Sequence, residues 1–422
     1  MRVWSPAQSW AARRFNTPRT YGMSYLYCWC ESGGCAGARP AIGLGARMNL
    51  EFSAEQQSLR DAARRLLADR CTPEMVRRIL DGTDRYDRGL WRELAELGYL
   101  GVAIPEEFGG SGAGYLELCV IAEELGRVLA PVPVSSSTYL AAEFLKIGGS
   151  AGQQAAYLPK LASGALIGTF ALAERAGEPN WQLLRARVEG DRLTGTKTVV
   201  ADGDTADFAV VAARAADAPG PSLYLLDLHG AGVVRRPLTT IDPSRGYAEL
   251  TIHSAPVEPL ALGEVGGRVL RRVLDGAAVL MAFEQLGGAE RALELACAYA
   301  KERWAFGRPI GSNQAIKHML ADMYVSVTLA RSNAYFGAWA LSTGADALGE
   351  AAACARISAT QAFQHCARNN TQVHGGSGFT WAVDCHLYYR RSNLLALALG
   401  GLAPWEDRLI DELQRSAASQ RG

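Results

Sequence analysis

The sequence predicts a mainly α-helical fold with a small antiparallel β-domain inserted between an N-terminal helical domain and a C-terminal four-helix bundle. Three observations predict it. Helical apolar spacing dominates residues 48–158. Short β-branched runs bounded by Gly, Asp and Pro fill 159–260. Long apolar-faced helical runs return over 261–422.

Each element has a local reason. Ser53-x-x-Gln56 is a capping box ahead of a helix. Thr72-Pro73-Glu74 opens another, with Pro tolerated in the first turn. Leu90, Trp91, Leu94 and Leu97 continue the period until Gly98 stops it. A Gly-rich loop, IPEEFGGSGAGYLE (104–117), leads into a helix ending at Gly126. The segments ALIGTFAL, RARVEGDRLTGTKTVVA, FAVVAA and SLYLLDL read as strands, with Glu189-Gly190-Asp191 as a hairpin turn. No GxGxxG follows a strand, which argues against a dinucleotide-binding βαβ unit. Four long helices are predicted over 264–303, 312–341, 346–374 and 382–398, with a tail helix after Pro404. Such bundles bind ligands between helices or subunits.

Composition narrows the function classes. The 422 residues are 49% hydrophobic and 20% charged, with 43 basic and 43 acidic side chains. A balanced charge argues against nucleic-acid binding, which needs a basic footprint. No apolar run reaches the ~18–20 residues that span a bilayer, so no membrane association is expected and a cytoplasmic location is. Residues 1–47 carry six Arg, one acid (Glu31) and no apolar period. They read as sequence upstream of a start at Met48 or as an Arg-rich transit peptide, and disorder is expected there. Of nine cysteines, six are scattered on apolar helical faces as core thiols. Cys28, Cys30 and Cys35 lack a His at zinc-ligand spacing, so no metal site is expected.

Two segments carry the chemistry: ERWAFGRPIGSNQAIKHMLADM (302–323) and QVHGGSGFTWAVDCHLYYRR (372–391). With PEEFGGSG (105–112) and the α–β–α order, residues 50–410 resemble the acyl-CoA dehydrogenase family. That resemblance implies an FAD-dependent oxidoreductase that desaturates the Cα–Cβ bond of an acyl-CoA thioester. It implies an electron-transfer flavoprotein as acceptor. Arg303 matches the family Arg on the FAD pyrophosphate, where a planar fork suits two phosphates better than an ammonium. Phe306 is expected against the adenine–ribose end and Gln314 in hydrogen bonding to it. Gln372, Gly375 and Gly376 match the stretch where backbone approaches the cofactor across a subunit interface, which glycine permits. Taken singly, Arg303 also reads as a surface cation, Phe306 as core and the glycines as a helix cap.

The sequence also departs from the family pattern. The reaction needs a carboxylate base. One family position for it falls on Leu399, or on Gly400 with a one-residue slip, and the other on Ala277. Neither position holds an acid. Asp275 and Glu284 lie nearby. Asp275 points about 200° away round the helix and Glu284 lies about 10 Å along it. Either is a candidate base, and Glu284 is the one a relocated-base reading would use. Otherwise Asp275 reads as a solvent-facing charge and Glu284 as a buried hydrogen-bonded carboxylate. Val199 and Ala201 stand where the family has a flavin-shielding Trp and a Thr. Ala278 stands at the Arg that contacts CoA.

The retained residues are those that a chain offers to a neighbour's FAD. The lost ones are those it uses for its own. The resemblance therefore implies the non-catalytic partner in an α2β2 acyl-CoA dehydrogenase of the actinobacterial steroid type. The alternatives are a self-sufficient homotetramer with a relocated base and a non-enzymatic family member.

Overall fold

The computed structural model describes residues 52–175, 181–215 and 220–419. The segment 1–47, with Cys28, Cys30 and Cys35, lies outside them. Helix α1 (Ala54–Arg70) starts on the Ser53–Gln56 capping box, both halves of which form. Thr72 caps α2 (Pro73–Asp81) and Asp87 caps α3 (Arg88–Glu96). Gly98 follows α3 at φ +75, a backbone conformation few other residues tolerate. Helix α4 (Tyr115–Arg127) comes next. Then a short α5 (Val134–Ser136), a π-helical turn (Ser137–Ala141) and α6 (Ala142–Gly148) run on continuously, and after an extended Gly149 a Ser150–Gln153 capping box starts α7 (Ala151–Ala162).

Seven strands form the central sheet: β1 (Gly168–Ala171), β2 (Arg187–Glu189), β3 (Arg192–Ala201), β4 (Phe208–Ala215), β5 (Pro221–Asp227), β6 (Val233–Pro237) and β7 (Tyr247–Ala261). The order β1-β4-β2-β3-β7-β5 closes on itself through a further β4–β5 pairing, and β6 flanks β7. The predicted β2–β3 hairpin is present, with Glu189 opposite Arg192. Most pairings are antiparallel as expected, with one departure. β4 runs parallel to both β1 and β2. Parallel neighbours need a long crossover, and the β2–β3 excursion supplies it between β1 and β4. Both β4 and β5 are almost wholly buried, so their apolar runs do not alternate.

Helix α8 (Gly263–Glu302) is 40 residues long. A two-strand hairpin, β8 (Trp304–Ala305) and β9 (Arg308–Pro309), turns the chain into α9 (Gln314–Thr343). Helices α10 (Leu348–His374), α11 (Cys385–Leu397) and α12 (Leu402–Ser419) complete the bundle. Glycines set the closest approaches. A Cβ on Gly126 of α4 would sit 1.8 Å from the Glu284 carbonyl oxygen of α8. A Cβ on Gly287 would sit 1.9 Å from that of Glu123. No helix among the described residues is long and apolar enough to cross a membrane. Cys71, Cys119, Cys366 and Cys385 are buried free thiols, and Cys297 and Cys354 are half-buried.

Candidate functional site

Two constellations carry the functional side chains. The first is an open concavity of about 420 Å3 where α8 and α10 end. Its walls include Arg303, Gly375 and Gly376 from the sequence reading, together with Tyr299, His374 and Ser377. Arg303 is the residue at which α8 stops, its backbone N–H bonding to the Tyr299 carbonyl. Its guanidinium has no protein partner among the described residues. Gly375 ends α10 at φ +59, and its N–H caps the Gln372 carbonyl. A methyl group at Gly376 would meet nothing within 4 Å. The chain's own packing therefore gives no reason for glycine there.

Phe306, Gln314 and Gln372 do not line this concavity. Phe306 is fully exposed at the tip of the β8–β9 hairpin, at φ +52. That orientation corrects its reading as core. Gln314 opens α9 and Gln372 lies near the end of α10, both exposed. Sequence reasoning missed Tyr299 and His374. The available signal was spacing, since Tyr299 is one helical turn before Arg303 and His374 directly precedes Gly375.

The second constellation is buried between sheet and helices. Glu284 of α8 accepts from Arg245 Nη1 at 3.1 Å and lies 3.9 Å from Arg391 Nη1. Arg391 also bonds Asp242 at 2.5 Å, Ser244 at 2.9 Å and the Leu129 carbonyl at 3.1 Å. Arg245 donates to Ser135, and Ser136 donates to Asp202 at 2.6 Å. Burial works against the Arg245 charge, but Glu284 and Asp202 hold its pKa above the ordinary arginine range. Burial likewise opposes the Asp242 charge. Arg391 and the Ser244 hydrogen bonds prevail and depress its pKa. Asp202 goes the other way, raised by burial that Arg245 and Ser136 only partly offset. The Tyr139 hydroxyl, in the π-helical turn, is buried without a partner among the described residues. Glu284 thus occupies the buried, hydrogen-bonded role that the sequence suggested for it.

The other predicted positions are also located. Ala277 and Ala278 are fully buried on α8. Leu399 sits at φ +57 in the turn after α11. Arg356, wholly buried, holds that turn by donating to the Leu395 and Ala398 carbonyls, each at 2.5 Å. Burial brings its guanidinium down to about 10. Val199 is half-exposed at φ +54 on a β-bulge of β3. Two residues earlier, Lys197 is buried against Glu174 at 2.8 Å. Burial brings its ammonium down to about 8 even with that partner.

Asp275 is corrected. It is buried, and Arg408 of α12 reaches its Oδ2 at 2.6 Å. Its Oδ1 is buried without a partner among the described residues, and burial raises its carboxyl to about 6 against the pull of Arg408. No cluster of His, Cys, Asp or Glu among the described residues suits a metal.

Residues 53–165 match the N-terminal domain of acyl-CoA dehydrogenases, and residues 265–402 match the C-terminal domain. The chain belongs to the acyl-CoA dehydrogenase family. It is 35% identical over 344 residues to acyl-CoA dehydrogenase IpdE2 of Mycobacterium tuberculosis, spanning 80% of this chain and 91% of that one. Among solved structures it resembles a chain of the ChsE4–ChsE5 complex from Mycobacterium tuberculosis (TM-score 0.79, 31% identity, 87% of this chain and 99% of that one). It also resembles a chain of a variant of the Tcur3481–Tcur3483 steroid acyl-CoA dehydrogenase (TM-score 0.78, 33% identity, 86% and 99%).

Members of this family use FAD. The residues at the first constellation fit the phosphate-bearing part of such a group. Arg303 offers a guanidinium unpaired among the described residues, and Gly376 leaves backbone open to close approach.

Proposed function

We propose that this chain is a subunit of a heteromeric acyl-CoA dehydrogenase. In this reading it lends the Arg303 face to FAD and leaves proton abstraction to a homologous partner chain. One observation carries the proposal: no carboxylate at the candidate positions is free to act as base. Leu399 and Ala277 occupy the two family positions, Glu284 is tied into the Arg245–Arg391 cluster, and Asp275 is enclosed against Arg408 of α12, about 200° round α8 from position 277. A general base needs a lone pair aimed at the proton it takes. The naming of two similar structures as paired assemblies supports the same reading.

The parts of this chain would then act as follows. Arg303 holds the cofactor pyrophosphate by a charge-assisted fork. Gly375 and Gly376 let backbone approach it. Phe306, projecting from its hairpin, packs on the adenine–ribose end, and Gln314 and Gln372 bond its polar edge. FAD, when bound, would supply the hydride acceptor for the β-carbon, and a carboxylate of the partner chain would take the α-proton. An electron-transfer flavoprotein would be the acceptor of the two electrons. A bulky steroid-type acyl-CoA in the cytoplasm is the substrate this reading favours, by likeness to the steroid enzyme.

The test is co-expression with a homologous acyl-CoA dehydrogenase chain, followed by flavin and turnover measurements. The expected result is no FAD on the single chain, and one FAD per pair of chains with turnover in the complex. Stoichiometric FAD and normal turnover in the single chain would overturn the proposal. In the complex, Glu284→Gln is expected to lower the melting temperature and keep turnover per FAD within about two-fold. A loss of about 10^3 with full FAD would instead identify Glu284 as the base.

A further inference from the structure

We infer that His374 is a specificity-determining acceptor in the Arg303–Gly376 concavity. It selects a phosphate ester that carries a neighbouring hydrogen-bond donor, such as a ribose hydroxyl, over a bare phosphate. The inference rests on the reading that this concavity takes the nucleotide part of the cofactor.

His374 forms the last residue of α10 and lines the concavity. Its Nδ1 lies 2.8 Å from the Asn370 carbonyl, one turn back. A carbonyl only accepts, so Nδ1 carries the hydrogen and the neutral ring keeps a lone pair on Nε2. Nε2 has no protein partner among the described residues. The ring cannot turn freely. Tyr299 stacks on it at 4.0 Å and 26°. The Tyr299 hydroxyl pairs with Ser377 Oγ at 3.2 Å, and Ser377 Oγ donates to the His374 carbonyl at 2.7 Å.

The concavity therefore presents one fork of donors, Arg303, and one fixed acceptor, His374. Phosphate oxygens use the donors alone. A sugar hydroxyl beside the phosphate also satisfies the acceptor. A group with no donor leaves Nε2 facing a ligand acceptor, which gains nothing.

The experiment is calorimetric titration of the flavin-free complex of this chain and its partner with ADP and, separately, with inorganic pyrophosphate. Arg303→Met is expected to weaken both by about ten-fold or more, as for loss of a charge-assisted pair. His374→Phe keeps a ring for Tyr299 to stack on but removes the acceptor. It is expected to weaken ADP about five-fold and to leave pyrophosphate unchanged. His374→Gln, which restores an acceptor, is expected to recover ADP binding. If His374→Phe leaves ADP unchanged, or weakens both ligands equally, the role of His374 is overturned while the concavity remains an anion site. If the flavin-free complex with this chain unmodified binds neither ligand, the nucleotide reading falls and His374 with it.

Discussion

Asp275→Asn tests the electrostatics of the long helix. In the folded chain Asp275 titrates at about 6, against 3.8 for an ordinary aspartate. Burial is the larger cause. Arg408 holds one carboxyl oxygen, but the other is enclosed without a partner among the described residues. Arg272 and Glu412 are the other charges that reach it. A folded-state pKa raised above the unfolded value means that the native chain holds its proton longer. Stability then declines as pH rises from about 4 to about 6 and stays reduced above that. At about 1.36 kcal/mol per pH unit, the total loss is about 3 kcal/mol. Roughly 1.4 kcal/mol of it falls between pH 5 and 8. Asparagine stands in for the protonated carboxyl at every pH. Urea unfolding of both chains at pH 5, 6, 7 and 8 reads the difference directly. The expected result is a stability difference that moves about 1.4 kcal/mol in favour of the asparagine variant across that range. A flat difference would refute the reasoning. A drift in favour of Asp275 as pH rises would show that Arg408 more than compensates for the burial.

Two further predictions concern backbone. Gly126→Ala places a methyl carbon against the Glu284 carbonyl, where no side chain can swing aside. A loss of about 3 kcal/mol in denaturant unfolding is expected, whereas Gly376→Ala, with open space around it, is expected to stay within about 0.5 kcal/mol. Val199→Gly relieves a β-branched residue at φ +54 and is expected to raise stability by up to about 1 kcal/mol, read from the urea midpoint. A lower midpoint would mean that Val199 packing outweighs the strain.

Much of the fold was legible because its signals are local. Ser53 with Gln56, Thr72 with Pro73, and the periods of α8 to α10 each announce an element within a few residues. Strand direction is not local. Nothing in ALIGTFAL states that Gly168 will pair in parallel with Phe208, 40 residues on. The same limit applies to the sites. Arg303 and Gly375 were legible because a linear motif holds them, and Tyr299 and His374 are their helical neighbours. The Asp242–Arg391 pair joins residues 149 apart, and neither segment marks the other. Asp275 reads as a surface charge because its cover, Arg408 on α12, arrives 133 residues later.

The reciprocal glycine contact of α4 and α8 bears on how the molecule comes apart. Gly126 rests on the backbone of residue 284 and Gly287 on that of residue 123. Each helix carries both the notch and the surface that fills the other's notch. Separating them exposes two lengths of main chain together, with no side chain to bridge a partial opening. The N-terminal helical layer and the core of the bundle should therefore open as a single cooperative unit, with shared amide-exchange protection. Fraying is left to elements outside that seam, such as α12 and the β8–β9 hairpin. The hairpin that carries Phe306 can then adjust to whatever it meets while the seam beneath it stays closed.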